Sequence, residues 1–331
     1  MLLLSPSLVL FWSTLMTGTL ISISSSSWFV AWLGLELNLL SFIPLITSKQ
    51  NTFSSEAALK YFLIQALGSA TLLASVSMLF LFKMTPSILI LCSLTLKMGA
   101  APLHFWLPTI MQGMSWQNCL ILMTLQKVAP IVLTSYTLSP QTSFLVMSIS
   151  MLSALLGGIG GLNQTLLRKL MAYSSVNHMA WMLAAMMMNT NLWVHYIFAY
   201  TVISISLVTL LNFNQAYHIK HLTNPSNSQL NKIIMFLTLF SLGGLPPFLG
   251  FLPKLSVIKD LVNQELLLLA FILAMSALIT LFYYVRLSLT AFTLAAPKTS
   301  RSFNHANHSA STMTLLNMFP LFFPMIVMIP F

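Results

Sequence analysis

The chain has 331 residues, of which 57% are hydrophobic and 5% are charged, with four acidic residues and a formal net charge of +10. This composition excludes a soluble globular domain and predicts a polytopic membrane protein. Cys92 and Cys119 both lie within apolar stretches, which argues against a disulfide framework or an iron–sulfur site. We expect neither a cleavable signal peptide nor an Arg-rich transit segment at the N-terminus.

The apolar stretches predict an all-α fold with about 11 transmembrane helices. Each stretch is long enough to cross about 30 Å of hydrocarbon. In chain order they cover residues 2–22, 27–46, 57–82, 86–106, 116–137, 142–161, 166–188, 192–214, 233–258 (interrupted), 266–292 and 313–330. The segments 215–231 and 295–312 between them are polar and are predicted to be solvated connections.

Three charged residues lie well inside these stretches. Ionisable side chains at membrane depth are costly and are usually functional unless they lie near a helix end. Glu36 lies midway along the second stretch, Lys97 in the fourth and Lys127 in the fifth, where Pro130 predicts a kink. Lys60 follows Glu56 by four residues, which favours an ion pair at the start of a helix and a snorkelling lysine over a relay role.

The fourth stretch is interrupted directly after Lys97, by Gly99-Ala-Ala-Pro102. Proline removes a backbone donor, so the carbonyl groups freed before it need other partners. His104 follows the interruption and is a candidate for relaying protons. A charge beside a broken helix at membrane depth indicates an ion or proton path.

A second interruption occurs in the ninth stretch. Residues 244–253 match residues 99–108 at a glycine, two prolines and a leucine, and Lys254 follows at once. Paired interrupted segments in two halves predict a transporter built from inverted repeats. Because the breaks are five stretches apart, we predict a first five-helix repeat at residues 1–138 and a second, inverted repeat at 139–294. A polar loop and a final transmembrane helix would then occupy 295–331.

Histidines elsewhere are weaker candidates. His178 follows polar neighbours within the seventh stretch. A place on a hydrated stripe of the helix and a place in the core, with its hydrogen bonds satisfied, fit this pattern equally well. The pairs His218/His221 and His305/His308 have metal-like spacing, but no cysteine or carboxylate stands near them, so no metal site is expected. The glycine run 157–161 ends a membrane helix and follows no strand, which argues against nucleotide binding.

The distribution of basic residues predicts the orientation. With the N-terminus inside, the inner loops contain seven lysines and arginines (Lys49, Arg168, Lys169, Lys220, Lys232, Lys298, Arg301) and the outer loops contain two (Lys83, Lys259). Loops on the inner side of a membrane carry an excess of lysine and arginine. An inside N-terminus and an outside C-terminus are therefore expected.

The buried charges are mostly lysines with one central carboxylate, a set better suited to carrying protons than to binding a substrate. Burial disfavours the charged form of a lysine and a nearby carboxylate restores it. Movement of the carboxylate would therefore make the lysine release its proton.

Several segments resemble the antiporter-like membrane subunits of respiratory complex I. The resemblance covers the chain to about residue 292 and rests on residues 34–44, 56–63, 96–108, 126–130, 161–175 and 241–254. It implies that Glu36 and Lys97 form the family's Glu–Lys pair, that Lys127 is the central relay lysine and that Lys254 is the lysine of the second broken helix. The first three helices of the family's bacterial members have no counterpart here.

The resemblance also implies a setting. It places the protein in the mitochondrial inner membrane, with the N-terminus in the matrix and the C-terminus in the intermembrane space, among lipids and other membrane-arm subunits, between chains 4L and 4. It implies a subunit of an H⁺-translocating NADH:ubiquinone reductase with no cofactor of its own and no nucleic-acid partner. NADH, FMN, iron–sulfur clusters and ubiquinone would be used by other subunits.

Two other functions are compatible with the sequence. An independent cation/proton transporter would move ions as a purified chain, and a structural spacer of the membrane arm would tolerate neutralisation of Glu36 and Lys97. The absence of redox and nucleotide motifs means that the energy must come from a partner or from an ion gradient.

Overall fold

A computed structural model describes residues 6–47, 51–79, 85–188, 191–222, 229–246 and 248–293. Within these ranges the chain forms helices and one isolated antiparallel bridge, between Leu166 and His218. Seven described helical segments are long and apolar enough to cross a membrane: Pro6–Ser24, Trp28–Ile46, Thr52–Met78, Trp116–Tyr136, Pro140–Leu162, Leu192–Phe213 and Leu267–Thr290. Pro86–Met98 and Lys232–Gly243 are shorter apolar helices.

The all-helical, multi-pass architecture expected from the sequence is therefore confirmed. The number of 11 spans stays a prediction, because the stretches with interruptions yield short helices and residues 313–330 lie outside the described residues. His305 and His308 also lie outside them.

The chain divides into two compact units, Met1–Ile149 and Ser150–Phe331. The helices of the first unit are α1 (Pro6–Ser24), α2 (Trp28–Ile46), α3 (Thr52–Met78), α4 (Thr85–Met98), α5 (Trp106–Gly113), α6 (Trp116–Met123), α7 (Leu125–Tyr136) and the start of α8 (Pro140–Leu162). Within this unit α3 packs against α2, α4 and α5, and α4 packs against α7. A Cβ on Gly34 would lie 2.8 Å from the Gly18 carbonyl oxygen, so small residues allow α1 and α2 to approach closely.

The helices of the second unit are the end of α8, then α9 (Leu167–Met188), α10 (Leu192–Phe213), α11 (Ile219–Leu222), α12 (Gln229–Gly243), α13 (Phe251–Asn263) and α14 (Leu267–Thr293). Most residues of α9 are buried, and it packs against α10, α13 and α14. The glycine run at the end of α8 serves packing, because a Cβ on Gly160 would overlap the Tyr173 ring and one on Gly161 would lie 2.8 Å from the Tyr283 ring. Arg286 caps α8 by donating to the Leu162 carbonyl oxygen.

Both predicted interruptions are present and have the same local geometry. Gly99 has a φ of 71°, its N–H donates to the Leu96 carbonyl, and the Ala100 N–H donates to Thr95. Gly244 has a φ of 81°, and the corresponding bonds run from Gly244 to Ser241 and from Leu245 to Phe240. This is the Schellman arrangement, which needs a left-handed residue and therefore favours glycine. No continuous helix passes through either glycine.

The fifth stretch is interrupted at a position that the sequence did not indicate. Pro130 lies inside α7, which continues through it, and the kink expected there stays a prediction. The break lies instead at Thr124, which has φ −110° and ψ −80° and separates α6 from α7. The Thr124 hydroxyl donates to the Leu120 carbonyl at 2.7 Å, and the Thr124 N–H donates to the same oxygen at 3.0 Å.

Candidate functional site: buried lysines at helix interruptions

Lys97 lies in the last turn of α4, next to the first interruption, and is only 6% exposed. The break frees carbonyl groups, and side chains from two other helices satisfy them. Trp106 of α5 donates from Nε1 to the Leu96 oxygen at 3.0 Å, and Gln65 of α3 donates from Nε2 to the Lys97 oxygen at 3.3 Å. Side chains of α3 and α5 therefore stabilise the interruption on both sides of the Lys97 backbone.

The Lys97 side chain runs across a glycine of α3. A Cβ at Gly68 would lie 3.0 Å from Lys97 Cγ and 3.3 Å from Cε. Real Cβ atoms rarely approach carbon so closely, so the absence of a side chain at Gly68 makes room for the buried lysine.

Glu36 lies within electrostatic reach of Lys97, but the two side chains are not hydrogen-bonded to each other. Glu36 is half-buried, and its Oε2 atom is buried without a hydrogen-bond partner in the protein. Glu36 and Lys97, the pair that the resemblance implies, are thus not in hydrogen-bonded contact, although a lone buried charge is costly. Partial exposure of Glu36 lowers that cost.

Lys127 lies in the first turn of α7, just after the interruption at Thr124, and is 4% exposed. Its backbone N–H donates to the Thr124 oxygen at 3.1 Å. The preceding residue, Gln126, accepts a hydrogen bond at Oε1 from the Tyr61 hydroxyl, at 3.3 Å. Because α4 packs against α7, Lys97 and Lys127 lie on neighbouring helices of one unit.

His104 is buried, at 2% exposure, between the interruption and α5. Its ring donates a hydrogen bond to the Pro102 carbonyl and lies 4.4 Å from the Phe105 ring, centroid to centroid. The structure thus places His104 beside the first break, as the sequence predicted.

Lys254 lies at the start of α13 and is 5% exposed. Its Nζ atom donates to the carbonyl oxygens of Gly243 at 2.8 Å and Leu242 at 3.3 Å, and lies 5.8 Å from the Trp181 ring centroid. The ammonium group therefore caps the C-terminus of α12, where the helix dipole favours a cation. A Cβ on Gly244 would lie 2.9 Å from Lys254 Cδ, so this glycine also makes room for a lysine.

His178 belongs to a buried polar cluster on α9, and its exposure is 7%. Its Nδ1 atom lies 2.9 Å from the Tyr196 hydroxyl, and its ring lies 4.9 Å from that of Tyr200. One residue earlier, Asn177 accepts a hydrogen bond from Ser276 of α14 at 3.0 Å. His178 is thus a buried, hydrogen-bonded residue of α9, and its part in a relay stays a prediction.

Lys60 is placed apart from the buried lysines. It forms the predicted i,i+4 ion pair with Glu56 near the start of α3, and the two side chains are 49% and 59% exposed. No cluster of three metal-ligating residues occurs in the described part of the chain. Cys92 is an exposed free cysteine and Cys119 a buried one.

Three residues near the buried lysines were not singled out from the sequence: Tyr61, Gln65 and Gly68 of α3. They are spaced by four and three residues, so they share one helix face. All three are buried, whereas the other sides of this part of α3 are largely exposed. A period of 3.6 in the small and polar residues of the third stretch was the available signal.

Interrupted helices with buried lysines at the breaks define a membrane subunit of the antiporter-like class. The chain belongs to the NADH:quinone oxidoreductase/Mrp antiporter transmembrane family, whose model matches residues 25–280. It is 48% identical to NADH-ubiquinone oxidoreductase chain 2 of Anopheles gambiae over 318 residues, which cover 91% of each chain. Its identity to the Locusta migratoria protein of the same name is 41% over 291 residues, covering 86% of this chain and 84% of that protein.

Solved structures share the fold. A chain of respiratory complex I from Thermus thermophilus superimposes with a TM-score of 0.84 at 22% identity, covering 97% of this chain and 79% of that chain. A chain of the Mrp complex from Dietzia sp. superimposes with a TM-score of 0.81 at 14% identity, covering 96% of this chain and 75% of that chain. At these identities the likeness shows the fold alone.

Proposed function

We propose that the chain is a proton-translocating, antiporter-like subunit of respiratory complex I. Electron transfer from NADH to ubiquinone, carried out by cofactors of other subunits, would drive proton movement through Glu36, Lys97, Lys127 and Lys254. One observation supports this most strongly. Three of the four lysines that are buried in the described residues lie beside a helix interruption: Lys97, Lys127 and Lys254. The fourth, Lys232, lies near the start of α12.

Interruptions suit a proton relay because they combine burial with backbone groups that can change partners. The Lys254 nitrogen is held by carbonyl oxygens rather than by a carboxylate. Carbonyl groups accept hydrogen bonds from a neutral amine as well as from an ammonium group. Lys254 can therefore lose and regain a proton without losing its position.

The Glu36 charge is the switch in this proposal. Burial disfavours the ammonium form of Lys97, and the Glu36 charge favours it. An approach of the two groups to ~4 Å would stabilise the ammonium by ~4 kcal/mol at an effective dielectric of ~20. Moving one charge against ~150 mV requires ~3.5 kcal/mol, at ~2.3 kcal/mol per 100 mV. The switch and the work of translocation are of similar size.

The same proposal extends to the architecture and setting. We infer two inverted five-helix repeats at residues 1–138 and 139–294, followed by a polar loop and a final helix at 295–331. The equal Schellman geometry at Gly99 and Gly244 supports the repeat. The protein would lie in the mitochondrial inner membrane with its N-terminus in the matrix and its C-terminus in the intermembrane space. Its partners would be other membrane-arm subunits, including chains 4L and 4, and lipids.

The test is proton uptake by vesicles that contain the assembled complex with Lys97→Met. Methionine keeps the apolar length of the side chain and removes the charge, so the relay should stall while the complex still assembles. NADH oxidation should fall with proton uptake because the two are coupled. Unchanged uptake per assembled complex would favour a structural spacer, and ion flux by the purified chain in liposomes would favour an independent transporter.

A further inference from the structure

Tyr61 lies where the elements around the first interruption meet. It shares the buried face of α3 with Gln65, which bonds to the Lys97 carbonyl, and with Gly68, which contacts the Lys97 side chain. Tyr61 continues this face by one turn, toward α2 and α7. It is only 2% exposed.

Two aromatic residues fix the Tyr61 ring. Phe42 of α2 packs edge-on at a centroid distance of 5.1 Å, and Trp106 of α5 at 6.3 Å. Trp106 is also the residue whose indole caps the Leu96 carbonyl at the break. The position of the Tyr61 ring is therefore tied to the geometry of the interruption.

The Tyr61 hydroxyl interacts both with Glu36, the implied partner of Lys97, and with Gln126, the residue before Lys127. It donates to Gln126 Oε1 at 3.3 Å, next to Lys127, and it lies within electrostatic reach of Glu36. Gln126 Nε2 and Glu36 Oε2 are buried and have no hydrogen-bond partner in the protein. Buried polar atoms of this kind normally bind ordered water.

We propose that Tyr61 is a further relay residue between Lys97 and Lys127, and that Gln126 positions its hydroxyl. The inference rests on the proposed proton-translocating function. A hydroxyl both donates and accepts, whereas an amide oxygen is too weak a base to carry the proton onward. The bond from Tyr61 to Gln126 therefore holds the hydroxyl in place, and transfer requires the hydroxyl to donate to a water beside Gln126.

The transfer step conserves protons. The Lys97 ammonium gives a proton to an ordered water, and that water gives one to the Tyr61 oxygen. Tyr61 releases its own hydroxyl proton to a water beside Gln126, and the neutral Lys127 amine takes up a proton from that water. Lys97 ends neutral and Lys127 ends charged, while Tyr61 and both waters are unchanged.

Tyr61→Phe in the assembled complex tests this, because phenylalanine keeps the ring contacts with Phe42 and Trp106 and removes only the hydroxyl. We expect assembly as in the wild type and a fall in proton uptake per assembled complex as large as that of Glu36→Gln. Gln126→Leu should give a similar loss, and the double variant no further loss, because the two residues act as one unit. Tyr136→Phe is the matched control, since Tyr136 is 62% exposed in the same unit, and it should pump normally.

The solvent isotope effect on proton uptake separates a relay role from a packing role. The hydroxyl loss should change that effect in Tyr61→Phe and leave it unchanged in Tyr136→Phe. Normal uptake by Tyr61→Phe alongside a loss in Glu36→Gln would overturn this inference and leave the proposed function standing. Normal uptake by both would overturn the function as well. Reduced assembly of Tyr61→Phe with normal uptake per assembled complex would reassign Tyr61 to packing.

Discussion

Gly68→Ala should disturb proton transfer without removing any polar group. The new Cβ would lie 3.0 Å from Lys97 Cγ and 3.1 Å from Leu96 Cδ2, both beside the interruption. The Lys97 side chain must shift by a few tenths of an ångström, and its distance to Glu36 changes with it. Gly68 has ordinary helical geometry in the middle of α3, so alanine introduces no strained φ.

The expected free-energy change is small because two effects oppose each other. Alanine in a helix interior stabilises by about 1 kcal/mol relative to glycine. Overpacking of a filled site costs about 1–3 kcal/mol. The net destabilisation is then about 0–2 kcal/mol, which is small enough for the complex to assemble.

The assay is proton uptake per assembled complex, with the amount of complex measured on native gels. We expect near-normal assembly and a clear loss of uptake in Gly68→Ala. Gly158→Ala is the matched control, because its Cβ would lie 3.6 Å from the nearest atom, an ordinary contact near the end of α8. If Gly68→Ala assembles and pumps as the control does, the Lys97 side chain is not constrained as described.

The other predictions concern the remaining lysines. Lys254→Met should remove both hydrogen bonds to the end of α12. Each buried carbonyl left unsatisfied should cost about 1–3 kcal/mol, so thermal unfolding of the complex should begin at a lower temperature. An unchanged unfolding curve would contradict the capping role. Lys60→Gln should leave proton uptake within the scatter of the wild type, because exposed ion pairs contribute about 0–1 kcal/mol. A strong loss of proton uptake would show that Lys60 takes part in the relay.

The interruptions at Gly99 and Gly244 were predictable because their cause is local. Gly99 and Gly244 supply the left-handed residue that the cap requires, and charges at membrane depth identify Lys97, Lys127 and Lys254 directly. These features need no knowledge of tertiary structure. The sequence also indicated the exposed Glu56–Lys60 pair from its spacing alone.

The partners of the freed carbonyl groups were not predictable, because they come from distant parts of the chain. The Gln65 amide reaches the Lys97 carbonyl from another helix, and the Tyr61 hydroxyl reaches Gln126 across 65 positions. The break at Thr124 was also missed. Proline is a strong local signal, whereas a threonine that bonds to its own helix breaks it only in some settings.

The central claim is that the Glu36 charge controls the protonation of Lys97, and Glu36→Gln tests it most directly. Glutamine keeps the shape of the side chain and removes the charge, so Lys97 should favour its neutral form. In vesicles that contain the assembled complex, we predict a loss of proton uptake and of coupled quinone reduction, with a milder loss in Glu36→Asp, which keeps the charge. Wild-type proton uptake by an assembled Glu36→Gln complex would contradict the account.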